Sequence, residues 1–406
     1  MHISVRSETA KLKHVLLHRP GAELEQLTPS RLEHMLFDDI PYIHGAQREH
    51  DAFAKALKSQ GVVVHYLTDL AAQTLSQDEK IKRQFVEDFI RFSGPAAIYN
   101  REKLLDWLLS IESTEDMVIK TMAGITLDDV ESKELHPLSS KLRHESTFLT
   151  LPMPNLYFTR DPMACIGNGA VLSSMYSLSR KRETLYSKYI LKYHPQFENK
   201  VPFYYDLTLP YPIEGGDILC PCEDLLIIGI SQRTSPEAIE LLAQRLFSDE
   251  ESGFNSILAL DIPKLRAYMH LDTVMTQVDT NSFTVHPGLL RDFKAFIITP
   301  GADNALNVKE QSGTLDVILG KAMKRDKIHL IPCGGDDEIA AQREQWNDAS
   351  NTLCIAPGVV IVYDRNAVTN AIIRDAGIRT IEIPGSELGR GRGGPRCMTM
   401  PLEREN

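Results

Sequence analysis

Along most of its length this chain alternates short β-branched or leucine-rich runs with segments of helical length, and the changes of texture fall mostly at glycines and prolines. Runs of a few apolar residues are strand-sized, far short of the roughly 18 needed for a membrane span, and their alternation with amphipathic segments predicts an α/β fold. Residues 14–18 (HVLLH) read as a strand closed by Arg19-Pro20-Gly21. Thr28, Pro29 and Ser30 carry a helix-start signal, with Ser30 and Glu33 as a capping-box pair. A helix over about residues 46–60 stops at Gly61, and Val62-Val63-Val64 then reads as a buried strand. Gly167-Asn168-Gly169 marks a hairpin over 164–174. The cycle repeats as a strand at 224–230, a helix opened by Ser235-Pro236-Glu237, strands at 296–301, 328–332 and 359–364, and helices over 312–324 and 366–376. Recurring strand–strand–helix–strand units predict a quasi-repeated architecture.

One stretch departs from this rhythm. Residues 75–148 hold only two glycines and two prolines, and their apolar residues recur at helical spacing, as in Ile81, Phe85 and Phe89 or Leu104, Leu105, Leu108 and Ile111. Ser113 with Asp116 offers a further helix start. The expected organisation is an α/β domain built from residues 1–74 and 149–406, interrupted by an all-helical insertion at 75–148.

Composition narrows the partners. Forty-four basic against 55 acidic residues leave a net charge of −11, which disfavours nucleic acid or an anionic membrane and favours cationic ligands. No signal-peptide-like or membrane-spanning run is present in the sequence. Six cysteines in 406 residues are too sparse for a disulfide framework, so a reduced, cytoplasmic setting is expected. No zinc-finger spacing or H-E-x-x-H is found, so no structural zinc is expected.

Four polar clusters sit where strands meet turns. In Phe158-Thr159-Arg160-Asp161-Pro162 the proline pushes Asp161 into extended backbone, as suits a carboxylate at a strand end. Glu214-Gly215-Gly216-Asp217 places two glycines between carboxylates. His270-Leu271-Asp272-Thr273, read as a strand, turns His270 and Asp272 to one face. Finally, Gly389 to Met398 is a flexible glycine loop that delivers Cys397 beside Arg396, a neighbour expected to lower the thiol pKa. Its formal G-x-G-x-x-G pattern is rejected because Pro395 follows where the dinucleotide motif needs a helix. Taken singly, each cluster reads equally well as an ordinary turn. Together they supply a thiol, an imidazole and surplus carboxylates. Carboxylates match a planar guanidinium bidentately, and they would repel the oxyanion of a peptide carbonyl.

The motifs FTRDP, EGGD, HLDT and GRGGPRCMTMPL, in this order and spacing, resemble the bacterial arginine deiminase family of the guanidino-group-modifying superfamily, over essentially the whole chain. The resemblance implies a five-bladed pseudo-symmetric α/β propeller of ββαβ-type units with a helical insertion. It implies hydrolysis of L-arginine to L-citrulline and ammonia without metal or organic cofactor, with Cys397 as nucleophile, Asp161 and Asp272 clamping the guanidinium, and His270 paired with Glu214 for proton transfer. Asn155, Phe158, Arg180, Arg233 and Arg392 would bind the rest of the substrate, the arginines its carboxylate. Arg396 lies where members vary between histidine and arginine, and is expected to gate or tune the field. A homo-oligomer is expected, as is common for such chains. The rivals are an amidinotransferase or a hydrolase of methylated arginines, a cysteine protease, and a non-catalytic arginine sensor.

Overall fold

The computed structural model describes residues 2–130, 148–197, 200–290 and 293–405. Among them, five sheets share one motif: a first strand antiparallel to a second, which is parallel to a third. Met163–Ile166, Gly169–Leu172 and Phe203–Tyr205 form one such set. Ile218–Cys222, Leu225–Ile230 and Ser256–Asp261 form the next, extended by Lys294–Pro300 and Leu306–Gln311. Met275–Asp279, Ser282–Val285 and His329–Pro332 make the third, and Leu353–Ala356, Val359–Tyr363 and Arg379–Ile383 the fourth. In the fifth, Met400–Arg404 pairs antiparallel with Leu12–Leu17, which runs parallel to Val63–Tyr66.

Parallel neighbours need a crossover, and in each set a helix supplies it. These are Ile43–Ser59, Glu183–Tyr193, Pro236–Ser248, Leu315–Met323 and Ala367–Asp375. Local signals explain their ends. The Ser235 side chain accepts a hydrogen bond from the Ala238 N–H, and Gly61 and Gly377 take left-handed φ values of 81° and 84°.

Two expectations need correction. The signal at Thr28 yields only a 3₁₀ turn, Pro29–Arg31, and one helical turn, Leu32–Met35, and the Thr28 side chain caps nothing. Its hydroxyl meets Ser30 instead. Val62–Val64 is not a buried strand: Val63–Tyr66 lies at a sheet edge and Val63 is 46% exposed.

Residues 67–123 carry the helices Leu67–Leu75, Glu79–Phe92, Pro95–Tyr99, Arg101–Ser110 and Thr114–Ala123. Phe85, Phe89, Leu104, Leu108 and Met117 are buried in a cluster continuous with Tyr186 and Tyr189 of a crossover helix and with the strand Gly169–Leu172. The expected all-helical insertion at 75–148 is corrected on two points: the helices begin at Leu67, and Ile125–Thr126 is a short strand paired antiparallel with Phe148–Thr150. Residues 131–147 of it lie outside the described residues. Among the described residues no helix is long and apolar enough to cross a membrane.

The repeat matters because of what precedes each first strand. Asp161 comes two residues before Met163, Glu214 four before Ile218, Asp272 three before Met275, Asn351 two before Leu353 and Cys397 three before Met400. The five-fold recurrence therefore delivers five polar side chains to one kind of location.

Candidate active site

Backbone hydrogen bonds stitch the motifs together before any side chain is considered. The Gly215 N–H donates to the Asp161 carbonyl at 3.0 Å, and the Arg160 N–H to the Cys397 carbonyl at 3.1 Å. Asp217, wholly buried, accepts from Ser231, Thr234 and the Leu271 N–H (2.8 Å), so it ties the EGGD turn to the HLDT turn. Gly216 is there for contact: a Cβ would stand 2.8 Å from the His270 ring.

The HLDT segment is not a strand. Leu271–Thr273 is a 3₁₀ turn with His270 at its N-cap, stapled by the Thr273 hydroxyl donating to the His270 carbonyl at 2.7 Å. His270 and Asp272 reach the same centre because the turn curls around it, and four residues of alternation could not foresee that.

His270 Nε2 lies 2.7 Å from Glu214 Oε2 and its Nδ1 lies 3.7 Å from Asp161 Oδ1. Burial opposes a charged imidazole, but Asp161, the Glu214 hydrogen bond and Asp217 outweigh it and hold the pKa up at about 9. Burial likewise opposes a charged Glu214, and Arg233 with His270 holds that carboxyl well below the usual range. Each carboxylate has a resident guanidinium. Arg180 Nη1 donates to Asp161 Oδ2 at 2.8 Å while its other nitrogens grip Glu183, and Arg233 Nη1 reaches Glu214 Oε2 at 3.4 Å. One ligand atom each from Asp161, Glu214 and His270 lies within 4.8 Å of the others, a spacing a metal could use. The two arginines already set against these carboxylates make the donor set a poor match to a further metal cation.

Cys397 Sγ stands 3.5 Å from Asp272 Oδ2. The loop around it is not flexible: Gly391 to Met400 is buried throughout. A Cβ on Gly393 would meet the Phe158 ring at 2.3 Å, so glycine serves close packing here. The expected fall in thiol pKa is also reversed. Burial pushes the Cys397 thiol well above its ordinary range, and Asp272, Asp161 and Asp348 push the same way. Arg396 opposes them only in part, because its charge is already engaged. It donates to Glu8 at 3.1 and 3.0 Å, to Asp272 Oδ2 at 2.9 Å and to the Ile218 carbonyl at 2.8 Å. Arg396 is buried, at 1% exposure, within this network of carboxylates beside the thiol.

The remaining expected residues sit differently from one another. Asn155 is buried and donates to the Met35 carbonyl at 2.8 Å, and Phe158 packs on Tyr157 with ring centroids 4.0 Å apart. Arg392 lies over the Trp346 ring, 3.5 Å from its centroid. All three Arg392 guanidinium nitrogens are buried without a hydrogen-bond partner among the described residues, as are both oxygens of Asp348 and Oδ1 of Asp161. Burial lowers the Arg392 pKa, against the pull of Asp348, and burial raises Asp348 to about 7.

Sequence reasoning missed Glu8, Glu183, Asp348 and Asn351. For Asn351 a signal exists: it occupies, before Leu353–Ala356, the position that Asp161, Glu214, Asp272 and Cys397 hold before their own strands.

The family model for arginine deiminase matches residues 33–404. The arginine deiminase of Treponema denticola is 49% identical over 405 residues, covering 100% of this chain and 99% of that one. That of Clostridium perfringens is 48% identical over 407 residues, covering 100% and 98%. Among solved structures, the N-terminal domain of ArgZ, an arginine dihydrolase with product bound, matches with a TM-score of 0.54 at 14% identity, over 96% of this chain and 97% of that one. AgrE in complex with L-arginine matches with a TM-score of 0.55 at 14% identity over 97% of this chain, which spans 40% of AgrE. Dimethylarginine dimethylaminohydrolase, as an adduct with 4-chloro-2-hydroxymethylpyridine, gives 0.51 at 17% identity over 96% and 99%. At such identities these structures speak for a shared mixed α/β fold. Full-length relatives almost half identical, and a family model that takes in every motif from FTRDP to the thiol loop, go further: the chain belongs to the arginine deiminase family.

Proposed function

We propose that this chain hydrolyses L-arginine to L-citrulline and ammonia through a covalent cysteine intermediate. The observation that carries the reading is the meeting, in one buried centre, of a thiol, a charged imidazole and carboxylates on two sides. Asp161 and Asp272 grip the guanidinium nitrogens, which leaves the central carbon facing Cys397. The cation they attract also offsets the acidic field that keeps the sulfur protonated, so the thiol gives its proton to solvent and the thiolate forms where its electrophile is bound. Sulfur adds to the guanidinium carbon. His270 gives its proton to the departing nitrogen, ammonia leaves, and an S-alkylthiouronium remains. The imidazole, now neutral, takes a proton from water as water adds to the same carbon, and the collapsing adduct expels the sulfur and releases citrulline. Glu214 keeps the imidazole basic and oriented. Arg180, Arg233, Arg392 and Asn155 serve the amino-acid end, and Phe158 walls the aliphatic stem.

The finer architecture belongs to this reading. The five strand sets are taken as the blades of a pseudo-symmetric propeller around the thiol, with the helices within residues 67–123 belonging to an insertion. A homo-oligomer and a cytoplasmic location complete the picture, with all six cysteines free as support for the latter.

The deciding experiment incubates enzyme with L-arginine, with and without an acceptor amine. Equimolar citrulline and ammonia in both cases is the expected result. Ornithine with an amidinated acceptor would mean an amidinotransferase, and activity only on methylated arginines would mean the other hydrolase. Cys397→Ser should bind arginine and release no citrulline.

A further inference from the structure

Asn351 is wholly buried, and no step above uses it. Its carboxamide makes three hydrogen bonds around the nucleophile. Oδ1 accepts from the Cys397 N–H at 2.9 Å, and Nδ2 donates to the Asp272 carbonyl at 3.0 Å and to Cys397 Sγ at 3.1 Å. The orientation of the amide is not arbitrary. A backbone N–H can only donate and a backbone C=O can only accept, so oxygen must face the first and nitrogen the second, which leaves an N–H aimed at sulfur. Gly394 permits the two segments to approach this closely, since a Cβ there would stand 2.6 Å from the Asn351 carbonyl oxygen.

We propose that Asn351 is a catalytic residue, whose side-chain N–H holds and stabilises the Cys397 sulfur while it carries negative charge, before attack and again on expulsion. This rests on the reading of Cys397 as the nucleophile. The chemistry of the centre explains why the donor is an amide. The other groups at the sulfur are the oxygens of Asp272, 3.5 and 3.8 Å away, and these disfavour a thiolate. A lysine or arginine aimed at sulfur would favour it but would repel the cationic substrate. A neutral N–H stabilises the anion at no such cost. Position supports the assignment as well: four of the five strand sets place a reacting or charged group just before their first strand, and Asn351 is what the remaining set places there.

The test compares Asn351→Ala and Asn351→Asp with the parent enzyme and with Cys397→Ser. The expected result is kcat lower by about 30-fold or more in Ala and by more in Asp, with KM within about threefold. The pH midpoint for iodoacetamide labelling of Cys397 should rise by about one unit. A packing role alone would not move that midpoint. In the wild-type protein, the Asn351 side-chain amide proton resonances should titrate together with the thiol, and cease to do so in Cys397→Ala; this arm needs no Asn351 variant to fold. Labelling midpoints and kcat within twofold of the parent, or amide resonances indifferent to the thiol, would overturn the inference while leaving the hydrolase reading intact. Citrulline release by Cys397→Ser would instead sink that reading.

Discussion

Two groups of charged side chains meet at the thiol, and they are finished to different degrees. In the first, Asp161, Glu183, Glu214, Arg180, Arg233 and His270 bind one another in ion pairs at 2.7 to 3.7 Å. In the second, Arg392, set over the Trp346 ring, and Asp348 lie buried with no hydrogen bond to either charged head among the described residues. The contrast is informative because an unmet buried polar group costs roughly 1–3 kcal/mol, more when charged. On the proposed reading, Asp161, Glu214 and His270 of the first group set the geometry of the reacting end before substrate arrives, so these three should govern kcat. The second leaves its hydrogen bonds for a ligand, as the amino-acid end of a zwitterion would require, so it should govern KM.

Replacing Asp161 by Ala attacks the finished group and carries the largest expected effect. It removes the proposed guanidinium clamp and one of the two carboxylate partners of Arg180, and kcat/KM should fall by about three orders of magnitude or more in a citrulline assay. A loss under tenfold would break the distinction. Next comes Arg392→Ala, expected to raise KM for arginine by about 10- to 100-fold with kcat changed only a few-fold. If kcat fell and KM held, the two groups would not divide the labour in this way. Glu214→Gln is smaller and sharper. A catalytic acid with its pKa at about 9 predicts that activity falls as pH rises through that value. Without the Glu214 charge the imidazole loses its proton more easily, so the alkaline limb should move to lower pH by about one unit. An unmoved limb would assign it to another group.

The smallest effect is on stability. The Asp348 carboxyl, at about 7 in the fold and near 3.8 when unfolded, binds more protons native than unfolded between those values. Its contribution to stability is therefore full below about pH 4 and lost as pH rises through about 7. Asp348→Asn should match the parent's Tm near pH 4 and exceed it by about 2–4 °C near pH 8. Equal differences at both pH values would mean that Asp348 is ionised in the fold.

What could be read from the sequence followed from locality. Strands such as Leu225–Ile230 and helix ends such as Ser235 or Gly377 depend on neighbours in the chain, and their residues announce them. Carboxylates next to glycine or proline stood out for the same reason. The misses are matters of distance. Glu8 meets Arg396 across 388 residues, and the simple pKa argument fails because burial, with Asp272, Asp161 and Asp348 beside the thiol, outweighs Arg396. Asn351 sits in Asn347-Asp348-Ala349-Ser350-Asn351, which reads as an ordinary turn until the sulfur is placed beside it. Val63 looked buried by residue type, and only the sheet order shows it at an edge.

The pairing of Met400–Arg404 with Leu12–Leu17 has a consequence for how the molecule is made. The segment that fixes the sulfur in place docks on a strand synthesised nearly four hundred residues earlier. A nascent chain that has not yet reached residue 397 holds Asp161, Glu214, His270 and Asp272 without the thiol. The five-part centre is therefore assembled only when this late segment returns to the strand near residue 12.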